Sequence, residues 1–176
     1  YSKKHFSVPN NLYIIGTMNT ADRSVEALDT ALRRRFSFIE MNPESEKLNT
    51  DEFKCSGIDL AALLNAINAR IEKLLDKDYC IGHSYFMTIK NRQEPLEEIK
   101  NIFQNKILPL LQEYFYGDWG KILLVVGKEF VETKENTIKF LSTDSYEDFE
   151  EYDEKPIYNF TKPSSWTIES FKSIYE

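Results

Sequence analysis

Apolar positions in the first 43 residues fall into two short runs separated by a polar segment that ends in three arginines. Residues 11–18 lack helical periodicity and lead into turn and capping residues, which predicts a buried strand. Ser24 can cap a short helix over residues 25–32, and the alternating pattern of residues 36–41, closed by Asn-Pro, predicts a second strand. Strand, helix and strand in this order are typical of a parallel α/β sheet, whose remaining strands we expect upstream.

The middle of the chain follows a helical pattern instead. A short helix is predicted at the start of the polar residues 44–54, and residues 59–75 carry apolar side chains at three- and four-residue spacing. Residues 96–114 repeat that spacing, with Pro109 as a predicted kink. These segments together predict a helical bundle.

The last third predicts small elements only. Residues 121–126 are β-prone and, with residues 137–141, predict a terminal hairpin. Residues 144–154 are acidic with interleaved aromatic side chains, and we assign them no function because such charge runs are usually solvated. A tail helix is expected to start near Ser165.

Composition and charge narrow the class of protein. The 176 residues include 41% hydrophobic and 29% charged residues, as in ordinary globular proteins. A net charge of −7 disfavours broad adhesion to nucleic acid. No apolar run reaches the roughly 20 residues of a membrane span, and the N-terminus lacks a signal-peptide core. Cys55 and Cys80, without CxxC spacing, are expected to be reduced thiols in a cytoplasmic protein.

The most specific chemistry lies between the two predicted strands. Asn19 follows the first strand, where ligands bind in open α/β sheets, so its amide could orient an attacking water or contact a γ-phosphate. Arginines 33–35 end the following helix, and at least one of them compensates the helix dipole. An arginine that reaches a neighbour's phosphates stabilises the transition state of phosphoryl transfer.

These segments, residues 18–24 (MNTADRS) and residues 29–36 (DTALRRRF), resemble the McrB family of AAA+ GTPases, the motor subunits of methylcytosine-dependent restriction enzymes. Weaker similarity continues through residues 81–86 and 107–119, which are similar to that family's lid. The resemblance implies an α/β plus α fold with three parts: the end of the nucleotide-binding core over 1–43, a helical lid over 44–120, and a hairpin, acidic loop and tail helix over 121–176.

The resemblance also implies roles for individual side chains. Asn19 matches the sensor-1 position, and Asp22 and Arg23 belong to the loop that positions catalytic water and responds to a partner subunit. The positions that act across the subunit interface are Asp29, Arg34 and Arg35.

Cofactors and partners follow from the same resemblance. It implies GTP or ATP with Mg²⁺, a ring that is expected to be hexameric, a McrC-like nuclease subunit, DNA bound through the complex, and no membrane. The family's Walker A and Walker B segments precede the first strand, and the chain contains no GxxxxGK[ST] sequence. The missing initiator Met and the early first strand suggest a piece of a longer protein, so the chain alone is expected to bind no nucleotide and to be inactive.

Several alternatives stay open at the level of sequence. His83 is either a phosphate or base contact in the lid or a turn residue between Gly82 and Ser84. Aromatic residues 114–116 and Trp119 could stack on nucleic acid, but without interleaved basic residues core packing or an interface is the better interpretation. The longer protein could instead be a MoxR-like remodelling ATPase, and the chain could also be a non-catalytic interaction module.

Overall fold

A computed structural model describes residues 7–18, 34–134 and 156–176 of the chain. These residues fall into two compact units, Tyr1–Ile39 and Glu40–Glu176. The three parts predicted from the sequence, with boundaries at residues 43 and 120, rest on motifs and not on these two units, and they stay a prediction.

The described residues of the first unit do not form the predicted parallel strands. Residues 12–18 and 36–39 are irregular, with a turn closed by the Leu12 N–H and the Pro9 carbonyl at 3.2 Å. Tyr13 and Ile15 are 87% and 94% exposed. A strand without a neighbour has no ladder hydrogen bonds and no buried face, so the parallel sheet is not shown by these described residues and stays a prediction. Most of the predicted helix over residues 25–32 lies outside the described residues.

The second unit is predominantly helical, as the spacing of apolar residues predicts. Single-turn 3₁₀ helices at Ser45–Leu48 and Asp51–Phe53 lead into α1, Leu60–Leu74. Two further 3₁₀ helices, Lys77–Tyr79 and His83–Ile89, connect α1 to the next long helix. The predicted short helix after residue 44 is confirmed as these 3₁₀ turns.

Helix α1 confirms the clearest helical pattern of the sequence. Asp59 caps it, because its carboxylate accepts the Ala62 N–H at 2.9 Å and so satisfies a first-turn donor. The apolar side chains recur at three- and four-residue spacing and are fully buried: Leu63, Leu64, Ile67 and Ile71. This face contacts the 3₁₀ helices before and after α1 and the later helix Trp119–Val126.

The predicted helix over residues 96–114 is confirmed, with an irregularity at a different place from the predicted kink. It consists of α2 (Pro95–Ile102), a π-helical turn (Phe103–Ile107) and α3 (Leu108–Tyr114). The Leu108 N–H donates to the Phe103 carbonyl, five residues earlier. Pro109 has no N–H to continue an α-helical ladder, and a wide turn before it relieves the clash that its ring would cause.

The predicted strand over residues 121–126 is wrong, because this segment is helix α4, Trp119–Val126. The Asp118 carboxylate accepts the Lys121 N–H at 3.1 Å at the helix start, and Gly127, with φ of 85°, ends it. Burial recurs with helical spacing at Ile122, Val125 and Val126. Packing of this face against α1 and α3 outweighs the β propensity of the segment.

A small terminal hairpin is confirmed, although its strands differ from those predicted. β1, Val131–Lys134, pairs antiparallel with β2, Ile157–Phe160, in the register Val131↔Phe160 and Lys134↔Ile157. The predicted strand over 137–141 and the acidic residues 144–154 lie outside the described residues. The tail helix is confirmed as α5, Ile168–Lys172, preceded by a 3₁₀ turn at Pro163–Ser165.

An aromatic cluster joins the hairpin and the tail to the helical bundle. Phe130, immediately before β1, is fully buried, and its ring lies 5.2 Å from Phe103, 5.2 Å from Trp166 and 5.3 Å from Phe171. The Trp166 indole N–H donates to the Thr161 hydroxyl at 2.7 Å, so its polar end is satisfied. One continuous core therefore extends from α1 to α5.

Removing the central ring of this cluster should destabilise the second unit as a whole. We expect Phe130→Ala to lower the free energy of unfolding by about 3–5 kcal/mol, because a buried aromatic side chain is replaced by a cavity. Chemical denaturation measures this loss of unfolding free energy. Phe130→Leu should lose less, about 1 kcal/mol, and Tyr116→Ala, at a ring that is 96% exposed, should change stability by less than about 0.5 kcal/mol. Equal losses at positions 130 and 116 would contradict the described core.

Candidate functional site

The structure describes only part of the predicted catalytic set. Asn19, Asp22, Arg23 and Asp29 lie outside the described residues, and their roles stay predictions. Residues 34 and 35, both arginines, lie in an exposed turn of the first unit. Exposed guanidinium groups are accessible to a neighbouring molecule.

His83, the predicted nucleotide contact, makes a specific hydrogen bond within the second unit. It is the first residue of the 3₁₀ helix His83–Ile89 and is half-buried. The Glu44 backbone N–H donates to its Nδ1 at 3.1 Å. Only an unprotonated ring nitrogen accepts a hydrogen bond, so this contact uses Nδ1 as the acceptor and leaves Nε2 as the nitrogen that can donate. His83 therefore does more than occupy a turn, and a nucleotide contact remains a prediction.

Asn68 is a structurally important side chain that the sequence reasoning missed. It lies on the buried face of α1, and its amide holds the backbone of Ile81 twice: Nδ2 donates to the Ile81 carbonyl at 2.9 Å, and the Ile81 N–H donates to Oδ1 at 2.7 Å. A polar residue one position after Ile67 and three before Ile71, inside an apolar stripe, was the available signal. This pair of bonds fixes the loop that leads to His83.

The segment that precedes the lid helices is also fastened by charges. The Glu40 carboxylate lies 2.8 Å from the Lys77 ammonium group, and this hydrogen bond raises the pKa of Lys77. Glu44 pairs with Lys47 at 2.6 Å, and the bond from Lys47 lowers the pKa of Glu44. All four side chains are largely exposed, so these pairs contribute little to stability by themselves.

The aromatic residues near position 115 pack mainly in the core, as predicted. Phe115 is buried, and Tyr114 is half-buried, with a pKa raised to about 12 chiefly by that burial. The Trp119 ring lies 4.9 Å from the ring of Phe160 in β2. Tyr116 differs, because it is 96% exposed and has φ of 51°. A continuous stacking platform for nucleic acid is therefore not formed by these side chains.

The cysteines behave as expected from their spacing. Cys55 and Cys80 are both free, and burial raises the pKa of the Cys55 thiol to about 11, so it is not a ready nucleophile. Within the described ranges, no group of three or more His, Cys, Asp or Glu side chains is placed to hold a metal ion.

A shallow polar groove lies at the start of α2. Its lining includes the carboxylates of Glu94, Glu97 and Glu98 together with Arg92 and three uncharged polar side chains. Three carboxylates repel phosphate groups, and polar walls offer no apolar surface for a base. The groove is therefore a poor nucleotide site.

Residues 59–123, from the cap of α1 into α4, match the family model described as the McrB alpha-helical lid domain. The chain is McrB-like. Its sequence is 40% identical over 128 residues to the EcoKMcrB subunit of a type IV methyl-directed restriction enzyme from Escherichia coli K12, an alignment that covers 66% of this chain and 28% of the relative. The predicted lid is thus confirmed.

A second relative carries a related name. Over 114 residues the chain is 32% identical to YdiS, a component of the type II restriction enzyme BsuMI from Bacillus subtilis 168, covering 60% of this chain and 32% of the relative. The McrB-like chain spans less than a third of the length of either curated relative. In the part of the chain that the structure describes, no helix is long and apolar enough to cross a bilayer.

Removing the Asn68 amide should destabilise the McrB-like lid through its His83 loop. Asn68→Ala leaves the buried Ile81 N–H and carbonyl without partners, and we expect a loss of about 2–3 kcal/mol in the free energy of unfolding. Asn65→Ala is the matched control, because Asn65 is exposed on the same helix, and it should change stability by less than about 0.5 kcal/mol. Urea titrations measure the stability of both variants. Similar unfolding midpoints for Asn68→Ala and Asn65→Ala would refute the role of Asn68.

Proposed function

We propose that the chain is the lid-bearing part of a nucleoside triphosphatase subunit of a restriction system that acts on modified DNA. The observation that carries this proposal is the McrB lid match over residues 59–123, together with 40% identity to a subunit of a methyl-directed restriction enzyme. The folded bundle of α1 to α4 supports it, because it supplies a self-contained lid core.

The nucleotide-binding core of the proposed enzyme includes the first unit of this chain. The side chains of Tyr13, Ile15 and Ile39 in this unit, and of Met41 two residues after it, are more than 85% exposed, which is unusual for large apolar residues. Pairing of residues 11–18 and 36–41 with further strands of the longer protein would bury them in a parallel sheet.

The proposed catalytic roles follow the matched motif positions. Asn19 orients the attacking water near the γ-phosphate, and Asp22 and Arg23 shape the loop around that water. Asp29, Arg34 and Arg35 act on the neighbouring subunit's nucleotide, and the exposure of residues 34–35 supports this assignment. Guanidinium groups suit this role because they present a planar fork to phosphate oxygens.

The proposed assembly follows from these roles. A residue that acts on a neighbour's nucleotide requires a neighbouring subunit, and the family resemblance implies a ring, so we propose a hexamer that uses GTP or ATP with Mg²⁺ in the cytoplasm. A McrC-like nuclease cleaves the DNA, and the ring drives it. The isolated 176-residue chain is expected to bind no nucleotide and to be inactive.

Nucleotide hydrolysis by the longer protein that carries this chain tests the proposal. GTP and ATP turnover should be measured side by side, with and without the nuclease subunit encoded beside it, and with the isolated chain as a blank. GTP preference with stimulation by the nuclease is the expected result. ATP preference without stimulation would favour a MoxR-like remodelling ATPase, and absence of turnover would leave an interaction module.

Arginine substitutions test the action across the interface. In the longer protein, Arg34→Ala and Arg35→Ala should leave nucleotide binding unchanged but slow turnover of the assembled enzyme by about 10³- to 10⁵-fold, the usual effect of losing an arginine finger. Arg92→Ala removes an exposed arginine of the lid and should leave turnover within about twofold. Unchanged turnover in both position-34 and position-35 variants would refute the assignment.

A further inference from the structure

A backbone hydrogen bond joins the lid to the segment that follows the arginine cluster, residues 40–48. Glu44 lies nine residues after Arg35 in the sequence, and its N–H donates to Nδ1 of His83 at 3.1 Å, across 39 positions of the chain. The next turn, Ser45–Leu48, contacts both α1 and the 3₁₀ helix that His83 starts, and Leu48 is buried.

The acceptor itself is rigidly placed. His83 lies two residues after Ile81, whose N–H and carbonyl are both bonded to the buried amide of Asn68 at 2.7 and 2.9 Å. The core of α1 is therefore connected to the backbone of Glu44 by the Asn68–Ile81 hydrogen bonds, the covalent backbone of residues 81–83 and the His83–Glu44 hydrogen bond. Such a connection fixes the position of the segment more tightly than an exposed side-chain pair does.

A second contact between this segment and the lid, the Glu40–Lys77 ion pair, is weaker than the His83–Glu44 hydrogen bond. The Glu40–Lys77 ion pair has side chains that are 59% and 60% exposed, so solvent and salt screen it. The His83–Glu44 bond is part-buried and involves a backbone amide, whose position is not averaged over side-chain rotamers. Of these two contacts, the His83–Glu44 hydrogen bond is the one that can fix the position of the backbone.

We propose that His83 is a positioning residue: its Nδ1 accepts the Glu44 N–H and thereby couples the lid to the segment that follows Arg34 and Arg35. The inference rests on the proposed function, in which those arginines act on a neighbour's nucleotide. It departs from a direct role for the imidazole in binding nucleotide, because that role would use Nε2 and would not need Nδ1 as an acceptor.

Two conservative substitutions separate the roles of the ring nitrogens. In His83→Asn the amide oxygen can occupy the place of Nδ1 and accept the Glu44 N–H, whereas in His83→Gln the longer side chain places its amide near the position of Nε2. His83→Ala removes both. Lys90→Ala is a matched control, because it breaks only the exposed 2.9 Å pair with Glu52 next to the same 3₁₀ helix.

The variants are compared in the longer protein by two readouts. Hydrogen–deuterium exchange of the peptide that contains Glu44 should be about 2- to 10-fold faster in His83→Ala and His83→Gln, from the loss of one hydrogen bond, and near wild type in His83→Asn. Turnover number should fall by about 10²-fold in the same two variants, with KM within about twofold, and should be largely restored in His83→Asn.

Other patterns overturn the inference. If His83→Gln restores turnover and His83→Asn does not, the important atom is Nε2, which would then contact the nucleotide. Nδ1 is not the coupling atom if the Glu44 peptide of His83→Ala exchanges at the wild-type rate. The same conclusion follows if all three variants fold and lose turnover equally. If the wild-type protein hydrolyses no nucleotide, the proposed function fails and this inference with it, whereas the exchange data alone then establish whether the hydrogen bond exists.

Discussion

The buried face of α1 is the surface on which the rest of the second unit is assembled. Its four fully buried aliphatic side chains provide the apolar contact for the neighbouring 3₁₀ helices and for α4. Asn68 interrupts this face with an amide that must be satisfied, since an unpaired buried amide costs more than a hydrogen bond gains. Among the residues that the structure describes, the backbone of Ile81 satisfies this amide. Apolar burial therefore holds the helices together, while this one polar pair selects a single arrangement of the loop.

The sequence predicts those elements whose signals are local. Helix α1 has both a capping aspartate and an apolar stripe with a 3.6-residue period, and the prediction there is confirmed. At α4 the run of β-prone residues favoured a strand, although Asp118 before it and Gly127 after it are helix start and stop signals. The capping residues and the packing partner outweighed local β propensity. The π turn before Pro109 has no comparable signature, because it depends on how the two flanking helices share one face.

The candidate site was predictable only in outline. The motifs of residues 18–36 and the lid similarity indicate the family, and the lid match bears this out. The bond between His83 and Glu44 joins residues 39 positions apart, and no spacing rule connects a histidine in a loop to a particular backbone amide. The same limit applies to the aromatic cluster, since Phe130, Trp166 and Phe171 meet only after the hairpin has brought the tail back to the bundle.

The two units differ in where their folding free energy comes from. In the second unit the apolar side chains find partners within the same 137 residues, from Glu40 to Glu176, and many are completely inaccessible to solvent. In the first unit Tyr13 and Ile15 are almost fully exposed, so the described residues of this unit do not bury them. Glu44 lies in the second unit, five residues after Ile39, the last residue of the first unit. The hydrogen bond from the Glu44 N–H to His83 suits the proposed coupling at this position, because it constrains the main chain directly and does not use the Glu44 side chain.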